Sequence, residues 1–221
     1  MKKVSCIIIS ILAVFAIGFT ACSSDNNNDT PNGTEEIVPG NNHKVLIAYF
    51  SEPLPDGVDA STSASRLVIN DNVVGSVEYL AQLIRQNTGG DMVRIQTANP
   101  YPGNFDDLAD QANQERQNNV HPALSTNIED FDNYDVVFVG YPIWWYQMAM
   151  YSFFDKYDFK GKTIIPFSSH GGSGWSGSLN VISQLEPEAT MATGFSVSRE
   201  RSASSADNVK AWLQQINMIS K

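Results

Sequence analysis

Strand-like and helix-like runs alternate along most of this chain, and that alternation restricts its fold more than any other feature. Lys44 to Phe50, Met92 to Gln96, Asp135 to Tyr141, Thr163 to Ser168 and Thr190 to Val197 read as short strands. Ser76 to Asn87, Asn104 to Asn118, Met148 to Lys156, Gly177 to Leu185 and Ala206 to Ile219 read as the helices that follow them. Five such units predict an α/β fold, a parallel sheet with helices on both faces. Asp135 to Tyr141 is almost continuously apolar, which suits a central strand covered on both sides. Val77, Leu80, Ala81 and Ile84 recur at helical spacing, as do Val209, Trp212, Leu213 and Ile216. Each helix therefore buries one stripe, and Trp212 belongs to the core. Thr88-Gly89-Gly90 supplies a helix stop, and Ser205 with Asp207 offers capping chemistry before the last helix.

The chain begins differently. Met1-Lys2-Lys3 precedes an apolar span from about Ile7 to Phe19, a charged start and a hydrophobic stretch too short for a comfortable membrane span. Residues 1–21 thus read as an export signal. Phe19-Thr20-Ala21-Cys22 resembles the lipobox of bacterial lipoproteins, with Phe19 in place of the usual Leu. The resemblance implies cleavage before Cys22, lipidation of that residue, and a place in the bacterial cell envelope, on the periplasmic side or the cell surface. An ordinary cleaved signal with an incidental Cys is the alternative. Cys6 falls inside the signal, so the mature chain keeps one cysteine and can form no intrachain disulfide. Residues 22–42 are polar and turn-prone and read as a flexible tether, leaving 43–221 as one domain. Loss of the signal leaves 12 basic against 24 acidic residues, a balance that disfavours nucleic acid as a partner.

Ligands of open parallel sheets lie beyond the carboxyl ends of the strands. There the central strand ends in Pro142-Ile143-Trp144-Trp145-Tyr146. Two Trp side chains could simply cap the core, but three adjacent aromatics after a strand end cannot all point inward. At least one should border solvent or a flat ligand.

Lys44 to Ser51, Thr88 to Asp91, Tyr134 to Trp145, Phe159 to Phe167 and His170-Gly171-Gly172-Ser173-Gly174 occur in the order found in flavodoxin-like proteins, which the chain resembles over nearly the whole domain. The resemblance implies a three-layer sandwich around a five-stranded parallel sheet of order 2-1-3-4-5. It also implies FMN at the ends of the first, third and fourth strands, with a redox partner. Ser51, Gly75 and Ser76 would then hold the phosphate, backbone N–H groups at a helix start favouring an anion. Pro142 to Tyr146 would supply stacking surface for the flavin ring. His170, Gly171, Gly172 and Ser173 would meet its polar edge, where glycines allow close backbone approach. His170 has a second reading, as a residue that stabilises its own loop.

The phosphate side departs from the family pattern. An insert of residues 52–74 separates the first strand from its helix, and Val77 stands where the family's Gly-Asn-Thr places a hydroxyl. Arg66 to Val74 reads as a hairpin turning at Asn70-Asp71-Asn72, a flap that either touches the phosphate or covers the surface. Ser61 to Arg66 offers substitute hydroxyls and a positive charge, whereas Glu52 and Asp56 would oppose a dianion unless they point away. His170-Gly171-Gly172 also resembles an esterase oxyanion segment, but the chain contains no Gly-x-Ser-x-Gly. Its histidines carry no metal-ligand spacing, and Asp106, Asp107 and Asp110 suit a helix start. The reading is a membrane-tethered FMN redox protein, an electron carrier or an NAD(P)H-dependent reductase of quinone-like acceptors. Its rival is a flavodoxin-fold binding or accessory lipoprotein that has lost FMN and uses the aromatic crevice for another planar or sugar-like ligand.

Overall fold

The domain is built on a parallel sheet whose first strand, β1 (Val45–Phe50), lies inside it rather than at an edge. The computed structural model describes residues 43–52, 66–103, 105–143 and 148–220. The expected signal, the expected tether with Cys22, residues 53–65 of the expected insert, and Trp144, Trp145 and Tyr146 lie outside the described residues.

Going along the chain, β1 leads to a hairpin of β2 (Arg66–Ile69) and β3 (Asn72–Gly75), then α1 (Ser76–Thr88), β4 (Asp91–Ile95) and α2 (Phe105–Gln117). A short 3₁₀ turn at Phe131–Asn133 leads into β5 (Val136–Pro142), followed by α3 (Met148–Lys156), β6 (Thr163–His170) and α4 (Ser178–Leu185). The chain closes with β7 (Thr190–Met191), β8 (Phe195–Ser198), the single turn α5 (Arg199–Ser202) and α6 (Ala206–Gln215). The sheet runs β4-β1-β5-β6-β7, with β8 also on β6, and every pairing in it is parallel. With the two short pieces counted as one strand, this is the expected order 2-1-3-4-5.

Register explains why the strands are apolar on both faces. Leu46, Val137 and Ile164 form one row and face a core completed by Leu108, Phe153 and Ile182 of α2, α3 and α4. The next row, Ile47, Phe138 and Ile165, faces the opposite core, which contains Val77, Leu80 and Ile84 of α1 and Val209 and Leu213 of α6. One residue of slip would turn both rows over, so two buried faces hold the register. Trp212 is buried in the second core, and its indole N–H donates to the Thr193 carbonyl at 2.9 Å.

Three details depart from expectation. Thr190 to Val197 is not one strand, because it breaks at 192–194. The Ala192 N–H bonds the Ile164 carbonyl, so Pro166, two residues on, presents the same edge but has no N–H to continue the ladder. Ser205 does sit at the start of α6, yet its hydroxyl bonds the Ser202 carbonyl at 2.7 Å rather than capping the helix. That helix ends at Gln215 instead of Ile219, and Asn217 takes a left-handed φ of 59°. The first-loop hairpin forms as read, with Asn70 and Asp71 both at positive φ in a two-residue turn. The stop after α1 also forms, Gly89 taking φ 72° with its N–H on the Arg85 carbonyl.

Candidate functional site

Parallel strands deliver their carboxyl ends to one rim, and here the rim gathers polar residues from β1, β5 and β6. Ser51 follows β1 directly. Tyr49 is level with Gly140, and Pro142 is level with Ser169, so Ser51, Pro142 and Ser169 continue one row across three strands. That row faces the layer containing α1, as do Tyr49 and Phe167 two residues earlier. Ser51 and Ser169 are both 0% exposed, and neither Oγ has a hydrogen-bond partner among the described residues. A buried hydroxyl without a partner is costly, so two along one row need explanation. Neighbouring Ser168 is satisfied, 2.8 Å from the Ser196 hydroxyl.

The start of α1 arrives at this rim from the hairpin. Gly75 ends β3, and Ser76, fully buried, opens the helix. Gly75 has φ −69° and ψ 140°, an extended conformation open to any residue, so its role here is not conformational. Its N–H is approached by the Glu78 carboxylate at 3.4 Å, a long contact that leaves a negative charge beside the helix start. Val77 is not a phosphate contact with its hydroxyl missing; its side chain is fully buried in the second core. Glu52 points to β4, where its carboxylate meets the Arg94 guanidinium at 3.1 Å. Burial pushes the Glu52 carboxyl up and Arg94 pulls it back.

On the far side of the row, the Ile143 N–H donates to the Ser169 carbonyl at 2.8 Å, which fixes the first residue of the aromatic loop against β6. Tyr141 turns into the other core. Its hydroxyl lies 2.9 Å from that of Ser178, and burial pushes its phenol up to about 12. It is a core tyrosine with a satisfied hydroxyl.

His170 closes β6. Its Nδ1 accepts the Gly172 N–H at 2.9 Å, which stabilises the loop and leaves Nε2 as the protonated nitrogen of a neutral ring. Burial, and then the positive charge of Arg201, hold its pKa below the usual histidine value. Gly172 has φ 132°, which strains any side chain, while Gly171, Gly172 and Ser173 are all exposed.

The structure therefore brings Ser51, Gly75, Ser76, Pro142, Ile143 and the segment from His170 to Ser173 to one end of the sheet. It adds residues the sequence reading missed. The sequence reading ends this strand at Ser168, whereas β6 runs to His170, and register with Pro142 places Ser169 on the rim. Arg199 and Arg201 stand out as a basic pair just beyond a strand in an acidic chain, a signal available in the sequence. A second concavity of about 470 Å³ opens beside the broken edge strand, bordered by Trp175, Gly194, Phe195 and Trp212, but no charged residue lines it. Among the described residues no group of three or more His, Cys, Asp or Glu could hold a metal ion. No helix there is long and apolar enough to cross a membrane.

Comparison with known proteins accords with this arrangement. A protein of Bacteroides eggerthii DSM 20697, provisionally described as a flavoprotein, is 27% identical with a TM-score of 0.61, over 79% of this chain and 98% of that one. A counterpart from Bacteroides uniformis ATCC 8492, described in the same way, is 25% identical with a TM-score of 0.60, over 78% of this chain and 98% of that one. A flavoprotein of Lactobacillus acidophilus NCFM, solved in complex with FMN, is 14% identical with a TM-score of 0.54, over 76% of this chain and 99% of that one, a likeness of fold alone. No curated protein matches. The family model for flavodoxin matches residues 65–216. That match takes in well over half of the chain, which belongs to the flavodoxin family.

Proposed function

We propose that this domain binds FMN and serves as a redox protein, either an electron carrier or an NAD(P)H-dependent reductase of quinone-like acceptors. The observation that carries the reading is the pair of buried hydroxyls, Ser51 and Ser169, without partners among the described residues along the carboxyl-end rim of a flavodoxin-family sheet. Both fit a ligand rich in acceptor oxygens placed at the head of α1. Ser51, Gly75 and Ser76 would hold the phosphate with the first N–H groups of that helix. Pro142, Ile143, Trp144, Trp145 and Tyr146 would flank the ring, and Gly171, Gly172 and Ser173 would meet its polar edge. When bound, FMN supplies reversible electron transfer through its isoalloxazine ring. The neutral His170 ring keeps its proton on Nε2, from which it can donate a hydrogen bond. Burial of the rim by the hairpin and the aromatic loop would exclude water from the ring.

A flavin titration of the purified protein, followed by Trp fluorescence and FMN absorbance, tests the reading. Micromolar or tighter binding, about −8 kcal/mol or better, supports it. Trp144→Ala and Trp145→Ala are expected to weaken FMN by about fivefold to a hundredfold where the indole stacks on the ring. If neither changes the affinity, the stacking role is wrong.

Glu78 at the helix start favours a second reading, a binding or accessory lipoprotein of this fold that has lost FMN. Stoichiometric FMN in the purified protein would rule it out. In either case we propose that the mature chain begins at a lipid-modified Cys22 and is tethered to an envelope membrane. Mass spectrometry of the mature N-terminus decides this, and a terminus other than acylated Cys22 refutes it.

A further inference from the structure

We infer that Arg66 and Arg199 form a guanidinium clamp for a phosphate monoester at the head of α1, so that the site selects FMN over the uncharged riboflavin. The inference rests on the flavin reading above and goes further by naming what neutralises the phosphate. The chain has six arginines, and three of them, Arg66, Arg199 and Arg201, gather at this rim although acids outnumber bases. The hairpin register sets Arg66 opposite Gly75, immediately before the helix. Its Nε is buried and has no acceptor among the described residues. Val197 is level with Ser169, and Arg199 opens α5, which packs on α1, β2 and β6. The Arg199 Nε donates to the Arg66 carbonyl at 2.9 Å, so the two arginines are fastened to each other through the hairpin. Arg201 stands close enough that its charge lowers the His170 pKa, although its own Nε is engaged with the Ser198 hydroxyl at 3.2 Å.

Three kinds of buried donor therefore belong to elements that meet at this rim. Among the described residues Ser51 and Ser169 present hydroxyls without partners and Arg66 an Nε without one, and α1 presents its first N–H groups. Each of these groups can donate, the hydroxyls also being able to accept, and an acceptor with several oxygens satisfies such a set. A guanidinium also suits a phosphate in geometry, since its planar fork can meet two oxygens at once. Two acids near the rim set the need for positive charge. Glu52 is already paired with Arg94, while Glu78 remains beside the Gly75 N–H, where it would repel a dianion. Arginines from the hairpin and from the turn after β8 offset that repulsion. They take the place of the hydroxyl-rich loop that the insert has displaced.

The test compares FMN and riboflavin binding to the full-length protein, to Arg199→Gln and to Arg66→Gln/Arg199→Gln, with inorganic phosphate as competitor. Because riboflavin shares the ring and lacks the phosphate, it separates the clamp from the rest of the site. FMN should bind the unaltered protein about tenfold to a hundredfold more tightly than riboflavin, as expected for charge-assisted hydrogen bonds. Inorganic phosphate should compete with FMN and not with riboflavin. In the double variant the preference should shrink severalfold, the hydroxyls and helix N–H groups retaining the remainder, with riboflavin affinity unchanged. An undiminished preference in that variant overturns the clamp, as does a parallel loss of FMN and riboflavin, which would make the arginines supports of the loop. Equal binding of both flavins by the unaltered protein also overturns it and leaves the flavin reading standing. If neither flavin binds, that reading and the clamp fall together.

Discussion

Gly140→Ala is expected to destabilise the domain by about 3 kcal/mol or more, the upper end of what overpacking a core costs. Gly140 lies in the central strand β5, level with Phe167 in β6. A Cβ at Gly140 would lie no farther than 2.8 Å from three carbons of the Phe167 ring. That ring is fully buried in the core shared with α1 and α6, so it cannot swing away. Interiors packed like crystals have no room to absorb a methyl group at such distances. Backbone freedom is not the reason for glycine here, because Gly140 does not take a positive φ. Urea denaturation checks the size of the effect. Adding Phe167→Leu should restore part of the loss, since a smaller side chain opens space above the new methyl, and the double-mutant cycle should show coupling. Gly140 stands two residues before Pro142, so the alanine variant should also lower flavin affinity. An alanine variant that unfolds at the same urea concentration as the parent would show that the ring moves freely.

The reason for this glycine is invisible in sequence, which shows why some of the molecule was legible and some not. The parallel strands and helices could be read because two buried faces demand continuous apolar strands and each helix needs only one apolar stripe, while the sheet order followed from the flavodoxin resemblance. The hairpin was legible because Asn70-Asp71 is local turn chemistry. The break in the fifth strand was not, since it depends on Pro166 in a neighbouring strand. At the site, Ser51 and Ser76 were legible because each adjoins a boundary visible in the sequence. Ser169 and Arg199 were not singled out: register places Ser169 beside Pro142, and although the Arg199–Arg201 basic pair is visible in the sequence, the fold is what sets Arg199 against Arg66. His170 was placed correctly at a strand end, and its Nδ1 contact accounts for the loop-stabilising reading directly. Val77 shows the opposite error. Comparison with a motif makes it a lost hydroxyl, while the packing of α1 makes it a core residue.

At the other end of the sheet, Lys162→Met should cost about 2–4 kcal/mol of stability and leave flavin affinity unchanged. Lys162 is buried immediately before β6. Its Nζ donates to the Tyr134 carbonyl at 2.8 Å and the Asp132 carbonyl at 3.1 Å, and lies 5.2 Å from the centre of the Phe131 ring. These contacts fasten the turn that feeds β5 to the start of β6. Methionine preserves the bulk of the stem but removes the donor, leaving a buried carbonyl unsatisfied. The eight residues of β6 separate this anchor from the ligand rim by about 25 Å. Stability and binding should therefore part company in this variant, whereas Gly140→Ala moves both. Chemical denaturation together with a flavin titration on the same preparation checks the claim. Unchanged stability would mean that water can reach the Tyr134 carbonyl. A fall in flavin affinity in the fully folded variant would mean that strain at the base of β5 and β6 is transmitted along both strands to Pro142 and Ser169.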